Sequence, residues 1–422
     1  MTTFEKTTLS NGLRVVTAPM PQAKSVACFV MIAAGSRYEE RASNGIAHFA
    51  EHMFFKGTER RPTARHIAGE IDSIGGEFNA FTGKEYTGYY VKCAAEHRDV
   101  ALDVLVDMLR HSKFDPDEIE REKGVIVEEM NMYVDTPRDY VDSVYDHLLY
   151  GDQPIGWDII GTKETVRAAT RETFLSYLDT WYRAPRMVAG VAGAIGDDLI
   201  PRLEELLGDV PDGQTPTPVP ATIAQGGSRV KVHHKQSDQA HLRFGVHSYP
   251  IDHPDRYALS LLGTILGGGM SSRLFTEVRE RRGLAYYIFA FNQGYTDAGT
   301  LFAQGGVDIT RIDEAITTVV DEFRRIADEP VDADELTKAR NFAKGRLVLS
   351  LEDPKGTIMF GLRGEVLENR LREPDEVLAG LDAVTAEDVQ RVARDLIRDD
   401  RLNLALIGPF EDEERFQALL TR

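Results

Sequence analysis

The chain has 422 residues, of which 42% are hydrophobic and 28% charged, and 68 acidic against 49 basic residues give a formal net charge of −19. This composition is typical of a globular protein and excludes a largely disordered chain. At roughly 100–200 residues per domain the length predicts two or three domains, and the acidic balance argues against nucleic acid or an anionic lipid surface as the main partner.

Cysteine usage and the N-terminus narrow the class of protein further. Cys28 and Cys93 are the only cysteines, which leaves neither a disulfide framework nor a cysteine-based zinc module. No apolar run approaches the roughly 20 residues that span a bilayer. Residues 1–6 lack the basic segment and apolar core of a secretory signal. We therefore expect a cytoplasmic protein that does not contact a membrane.

The first half of the chain predicts alternating strands and helices. Asn11-Gly12 lies between two strand-like runs and predicts a tight hairpin turn. Ser43 is a candidate N-cap for a helix that ends near Phe55. We also predict strands at 26–34 and 187–195, two strand-like runs within 75–90, and helices at 94–111, 115–132 and 170–181.

The second half repeats the order of the first. Between Pro211 and Gly227 the chain is rich in Pro, Gly, Thr, Ala and Gln, which predicts an extended linker. Beyond it, helix starts marked by Asp115 and Thr170 recur at Asp332 and Thr385, at nearly the same offset. This repetition indicates an internal duplication. We predict a first domain at 1–210, a linker at 211–228 and a homologous second domain at 229–422.

The segment His48-Phe49-Ala50-Glu51-His52 predicts a metal site on a helix. Residues four apart lie on one helical face, so His48 and His52 can bind one ion. The carboxylate of Glu51, three residues after His48, can reach the same side without binding the ion. Two imidazoles beside a carboxylate fit a catalytic zinc ion with a general base, and the order of residues is the inverse of His-Glu-x-x-His.

A third ligand must come from elsewhere, because a hydrolytic zinc ion commonly takes three protein ligands. The predicted helix after Asp115 supplies candidates. Glu122 and Glu129 are seven residues apart and share a helical face, whereas Glu128 points about 100° away from Glu129. A single glutamate in a charged helix is ordinarily solvated, so spacing alone leaves the choice of ligand open.

The metal motif followed by Glu122 and Glu129 resembles the pitrilysin/insulinase and mitochondrial processing peptidase family of zinc metallopeptidases, in a short two-domain form. The resemblance implies one Zn²⁺ ion per chain, held by His48, His52 and Glu129. By the same implication Glu51 activates the water molecule and Glu122 orients the site. Segments similar to the family also lie at 11–15, 34–39, 51–58, 266–275 and 279–286.

A strand is predicted at 76–82, directly after Gly75-Gly76. If it lies at the edge of a sheet, it can pair with an extended peptide through main-chain hydrogen bonds. The resemblance implies that Asn79 and Ala80 contact substrate in this way. An interior strand with Asn79 in a turn is the alternative.

Arg279 and Tyr286 are seven residues apart in the second half. A guanidinium and a phenol can hold a peptide carbonyl and stabilise the oxyanion that forms during hydrolysis. From its neighbours alone, Arg279 belongs to a solvated charge cluster at 279–282. The resemblance implies a catalytic Arg and Tyr at this spacing, with Tyr287 as the alternative if the register differs by one residue.

The resemblance implies two homologous α/β (α+β) domains, each a mostly antiparallel sheet with helices packed on one face. Two such chains would pair as a clamshell around a closed chamber, with the metal of one subunit facing Arg279 and Tyr286 of the other. We therefore expect a homodimer, or alternatively a heterodimer with an inactive homologue.

The expected activity is that of a zinc-dependent endopeptidase acting on peptides or unfolded segments, and the acidic balance weakly favours basic ones. A non-catalytic peptide-binding or scaffold subunit is the alternative. The presence of His48, His52, Glu129 and Glu51 favours the enzyme.

Overall fold

The structure is a computed structural model that describes residues 3–421. The strands are β1 (Glu5–Thr8), β2 (Arg14–Pro19), β3 (Ser25–Ile32), β4 (Glu77–Thr82), β5 (Thr87–Ala94), β6 (Met187–Gly193), β7 (Arg229–His234), β8 (Gln239–Ser248), β9 (Ala285–Gly294), β10 (Gly299–Asp308) and β11 (Asn403–Gly408). The helices are α1 (Ile46–Phe54), α2 (Ala64–Ser73), α3 (Arg98–His111), α4 (Pro116–Asp135), α5 (Pro137–Tyr150), α6 (Lys163–Ala168), α7 (Arg171–Trp181), α8 (Leu199–Leu207), α9 (Arg256–Gly267), α10 (Ile312–Asp328), α11 (Ala333–Ser350), α12 (Pro354–Glu368), α13 (Pro374–Ala383), α14 (Ala386–Leu396) and α15 (Glu413–Leu420).

The first of two compact units takes in the chain up to Met130, Trp157–Val219 and Val348–Asp375. Its sheet has the order β1-β2-β6-β3-β5-β4, and all neighbours are antiparallel except β2 and β6. One face packs against a core that includes residues of α1, α3, α7 and α8, and the other face packs against α12. Gly190 of β6 permits this second contact, because a Cβ there would lie 2.6 Å from the Leu362 side chain of α12.

The second unit takes in Asn131–Gly156, Pro220–Leu347 and the chain from Glu376 onwards. Its sheet has the order β7-β11-β8-β10-β9, with only β7 and β11 parallel. One face packs against the core formed with α9, α10, α14 and α15, and the other packs against α5.

The predicted fold class is confirmed, since each unit is a mostly antiparallel sheet with helices packed against it. The sequence did not predict that the opposite face of each sheet also carries a helix, α12 in the first unit and α5 in the second. The predicted limits 1–210, 211–228 and 229–422 stay a prediction. The two compact units are each made of three separate segments of the chain. Among residues 3–421 no helix is long and apolar enough to cross a membrane, and the cytoplasmic location stays a prediction.

Most of the predicted helix and turn signals are confirmed. Gly12 has a φ of +88° in the turn that joins β1 to β2. Thr170 and Thr385 each accept a hydrogen bond from the backbone three residues ahead and cap α7 and α14. The carboxylates of Asp115 and Asp332 accept backbone N–H groups at the starts of α4 and α11.

The prediction that Ser43 caps the first helix is wrong. Ser43 ends a short 3₁₀ turn, and α1 begins only at Ile46. The carboxylate of Glu39 takes the capping role instead, because its oxygens accept the N–H groups of Gly45 and Ala47, each at 2.7 Å. A buried carboxylate from outside the helix therefore accepts the hydrogen bonds of backbone N–H groups that a serine N-cap would otherwise accept.

Candidate metal centre

Helix α1 presents both histidines of the predicted metal motif. Its apolar side is buried in the core of the first unit through Ile46, Ala47, Phe49, Ala50 and Met53. The 3.6-residue period leaves His48, Glu51 and His52 off that buried side. The two imidazole rings lie with their centroids 4.6 Å apart.

Helix α4 brings Glu129 to these rings. Oε1 of Glu129 lies 3.7 Å from Nε2 of His48, and Oε2 lies 3.5 Å from Nε2 of His52. These separations are too long for hydrogen bonds. Donor atoms bound to one tetrahedral zinc ion at about 2.0–2.2 Å stand about 3.3–3.6 Å apart. Each histidine therefore stands close to the separation from Glu129 that a shared ion requires, and one ligand atom from each of the three side chains lies within 4.8 Å of the other two.

The neighbouring Glu128 lies outside this group. Its side chain is exposed, as expected for a residue turned about 100° from Glu129 on the same helix. Of the two adjacent glutamates, the structure brings only Glu129 to the histidines.

Glu122, the one buried carboxylate of α4, orients His52. Its Oε1 lies 2.9 Å from Nδ1 of His52, and its Oε2 contacts the ammonium group of Lys56. Burial alone would raise the pKa of Glu122, yet the hydrogen bonds from His52 and Lys56 hold that pKa below its ordinary value. An ionised Glu122 accepts a hydrogen bond from Nδ1–H of His52, which leaves Nε2 as the nitrogen that faces Glu129.

Burial shifts the pKa values of two of the metal-facing side chains. It lowers the pKa of His48 to about 3, with the nearby His52 adding to the effect, so the imidazole is neutral. Burial raises the pKa of Glu129, although His52 opposes the shift. Imidazole nitrogens and a carboxylate oxygen are donors that zinc prefers, and the residues present therefore fit the predicted ion.

Glu51 lies beside this group and is a candidate general base. Burial raises the pKa of its carboxyl group, against the effect of a hydrogen bond from Thr82. The hydroxyl of Thr82 donates to Oε2 of Glu51 at 2.6 Å. A carboxylate with a raised pKa accepts and releases a proton more readily near neutral pH.

The strand that carries Asn79 and Ala80 lies at the edge of its sheet. Among residues 3–421, β4 pairs only with β5, so the expected edge strand is confirmed and the interior alternative is wrong. The N–H of Ala80 donates to the side-chain oxygen of Asn79 at 2.8 Å. The side chain of Asn79 therefore covers one main-chain donor of the exposed edge.

Arg279 and Tyr286 lie together in the second unit. Arg279 is in a π-helical segment, Phe275–Arg281, and its guanidinium lies 5.7 Å from the centre of the Tyr286 ring. Tyr286 on β9 is 75% exposed. The alternative Tyr287 is engaged instead, because its hydroxyl lies 3.0 Å from Nδ1 of His241 and burial raises its pKa to about 12.

The charge cluster around Arg279 divides into two parts. Arg281 and Arg282 form ion pairs with the carboxylate of Glu277. Arg279 has no carboxylate partner among the described residues and lies over the rings of Phe275 and Tyr286. Its guanidinium hydrogens therefore remain available for a carbonyl ligand.

Three residues of the site were missed by the sequence analysis: Lys56, which contacts Glu122; Thr82, which binds Glu51; and Glu39, which caps α1. Lys56 stands four residues after His52, so helical spacing could have indicated it. The contacts of Glu39 and Thr82 depend on tertiary packing, which the periodicity of the sequence does not predict.

Comparison with known proteins gives matches over nearly the whole chain. Residues 14–163 match the sequence model of the family described as Insulinase (Peptidase family M16), and residues 168–342 match the model described as Peptidase M16 inactive domain. An uncharacterized zinc protease of Bacillus subtilis is 38% identical over 408 residues, which cover 96% of this chain and 98% of that protein. An uncharacterized zinc protease of Streptomyces coelicolor is 34% identical over 420 residues, covering 98% and 91%.

Solved structures share the fold at lower sequence identity. A protease from Helicobacter pylori superimposes with a TM-score of 0.91 at 22% identity, over 97% of this chain and 100% of that one. A structure described as a peptidase M16 inactive domain from Pseudomonas fluorescens gives 0.89 at 18% identity, over 97% and 99%. The two-sheet architecture is therefore common to these proteins.

Proposed function

Since the chain belongs to the insulinase family of peptidases, peptidase family M16, we propose that it is a zinc-dependent endopeptidase that hydrolyses peptides or unfolded polypeptide segments. One observation carries the proposal. The carboxylate of Glu129 lies 3.7 Å from Nε2 of His48 and 3.5 Å from Nε2 of His52, close to the separations of donors to one zinc ion, and Glu51 lies on the same helix as the histidines. A binding or scaffold subunit would not need this combination of donors and base.

The residues have distinct roles in the proposed reaction. His48, His52 and Glu129 would hold one zinc ion per chain. When bound, the ion supplies a Lewis acid that polarises the scissile carbonyl and lowers the pKa of water. Glu51 accepts a proton from the attacking water molecule and returns it to the leaving amine. The carboxylate of Glu122 keeps Nδ1 of His52 protonated throughout.

The exposed strand β4 supports recognition of an extended peptide. A substrate that adds to this edge binds through main-chain hydrogen bonds, which tolerate many side chains. Its carbonyl would replace the side-chain oxygen of Asn79 as acceptor for the N–H of Ala80. The net charge of −19 favours basic peptides over acidic ones.

We further propose a homodimer that encloses the substrate in a chamber. In this arrangement Arg279 and Tyr286 of one subunit donate hydrogen bonds to the oxyanion formed at the metal centre of the other. Both sets of residues occur in this chain, so a homodimer contains complete sites. A heterodimer with an inactive homologue is the alternative.

Hydrolysis of quenched fluorescent peptides by the purified protein tests the proposed function. We expect Glu51→Gln to lower kcat by at least about 100-fold, the usual contribution of a general base. Glu128→Gln is the matched control, because Glu128 is exposed and lies outside the metal group. A chelator should abolish activity, and added zinc should restore it. Equal activity of the wild type and Glu51→Gln would refute this mechanism.

A further inference from the structure

The carboxylate of Glu51 has one hydrogen-bond partner among the described residues. The hydroxyl of Thr82, the last residue of β4, donates to its Oε2 at 2.6 Å. The other oxygen, Oε1, accepts no hydrogen bond from the described part of the chain. Thr82 therefore occupies one side of the carboxylate and leaves the second oxygen available to a water molecule.

The turn that follows β4 fixes Thr82 in place. The turn is closed by a hydrogen bond of 2.8 Å from the N–H of Gly83 to the carbonyl of Tyr86. The N–H of Arg37 donates to the carbonyl of Lys84 at 2.8 Å, and the Arg37 guanidinium forms a buried ion pair with Glu85. The backbone of the turn is thus bonded to the segment Gly35–Glu39.

This segment also holds the helix that carries Glu51. Glu39, at its end, accepts the N–H groups of Gly45 and Ala47 at the start of α1. At its beginning, the N–H of Ser36 donates to the carbonyl of Gly83, and a Cβ on Gly35 would lie 2.2 Å from that oxygen. Only glycine permits this approach. One short segment therefore fixes both the helix of Glu51 and the turn of Thr82.

We propose that Thr82 is a positioning residue for the general base Glu51, with the segment Gly35–Glu39 setting the relation between the two. The inference rests on the proposed function. The Thr82 hydroxyl holds Oε2, and this restrains rotation of the carboxylate so that Oε1 faces the attacking water molecule. A catalytic group that is already held in its reactive orientation raises the rate, because less rotational freedom is lost on the way to the transition state.

The test compares Thr82→Val, which removes the hydroxyl at nearly constant shape, with Thr82→Ser, which keeps it. We expect Thr82→Val to lower kcat about tenfold, the effect of one hydrogen bond of ordinary strength, while KM changes less than about twofold. Thr82→Ser should restore kcat to near the wild-type value. Thr7→Val is the control, because Thr7 is exposed on β1 of the same sheet.

Two outcomes in the kinetics would overturn the proposal. Wild-type kcat in Thr82→Val would show that the hydroxyl is dispensable. An equal loss in Thr82→Ser, which keeps the hydroxyl, would show that the loss follows any change of side-chain shape at this position and not the hydrogen bond. If the wild type is inactive, the proposed function fails by itself. The inference is then tested by crystal structures of the metal-free proteins, in which we expect Glu51 to adopt one conformer in the wild type and several in Thr82→Val. A single unchanged conformer in Thr82→Val would refute the inference.

Discussion

At the scale of single residues, Glu122 connects the candidate metal ligand His52 to the positive charge of Lys56. Its two carboxylate oxygens are shared between Nδ1 of His52 and the ammonium group of Lys56. Its removal would leave the His52 ring free to rotate and to change tautomer. The cation of Lys56 would also lose its partner about one helical turn from the site.

We therefore expect Glu122→Ala to weaken zinc binding by about 10- to 100-fold without unfolding the protein. Competition with a chromophoric chelator measures the affinity, and thermal unfolding of the metal-free proteins monitors the fold. Glu128→Ala is the control on the same helix and should leave the affinity unchanged. A normal affinity in Glu122→Ala would mean that packing alone orients His52.

Residues on one helix could be assigned from the sequence, whereas contacts between elements could not. The spacing of His48, Glu51 and His52 predicts a shared face, and the structure shows it. Glu129 was selected by resemblance, since the spacing of α4 alone left several carboxylates open. The hydrogen bond from Thr82 to Glu51 joins a strand to a helix, between residues 31 positions apart in the chain. The spacing of residues within one element does not predict such a contact.

At the scale of elements, the position of α1 depends on a cap that comes from outside the helix. The buried carboxylate of Glu39 accepts three donors: the N–H groups of Gly45 and Ala47 and the side-chain amide of Asn44. Gly45 itself has a φ of +96°, and a Cβ there would lie 2.6 Å from the carbonyl of Ile160. The first turn of the metal helix is thus fixed by contacts that a serine N-cap would not provide.

Glu39→Ala should lower the free energy of unfolding by about 2–4 kcal/mol, because it leaves buried donors without an acceptor. It should also weaken zinc binding, since the histidines follow the lost cap by one to two turns. Chemical denaturation of the metal-free protein measures the first effect. The neighbouring Glu40 is exposed, so Glu40→Ala should change neither quantity. Equal stabilities of the two variants would contradict the capping role.

Helix periodicity also explains which packing could not be predicted. Ile358 and Leu362 of α12 are buried against β3 and β6 of the first sheet, and Val141 and Tyr145 of α5 are buried against the second. Spacing of apolar residues identifies the buried face of a helix but not the sheet that covers it. Local signals such as the Asn11-Gly12 turn and the Thr170 and Thr385 caps are therefore predictable from the sequence, while the sheet on which each of these two helices packs is not.

At the scale of the whole molecule, the order of elements that predicts an internal duplication also holds for α5 and α12. α5 follows α4 and α12 follows α11, and each packs on a sheet built mainly from the other half of the chain. Asp115 and Asp332 accept backbone N–H groups at the starts of α4 and α11, so the two halves of the chain begin these two helices in the same way.

The proposed sharing of a site between two chains leads to a sharper test than a measurement of size. One variant, Glu51→Gln, lacks the base, and a second, Arg279→Ala, lacks a donor to the oxyanion. Each homodimer should be inactive or nearly so. Mixed dimers would contain one site in which both defects meet and one site in which neither is present.

After subunits are mixed in equal amounts and allowed to exchange, about a quarter of wild-type activity should return, because half of the dimers would be mixed and each would have one intact site. A site completed within one chain would give no recovery, since every chain carries a defect. The same absence after verified exchange would refute the shared arrangement, whereas recovery that scales with the fraction of mixed dimers would assign Arg279 and the metal centre to different subunits.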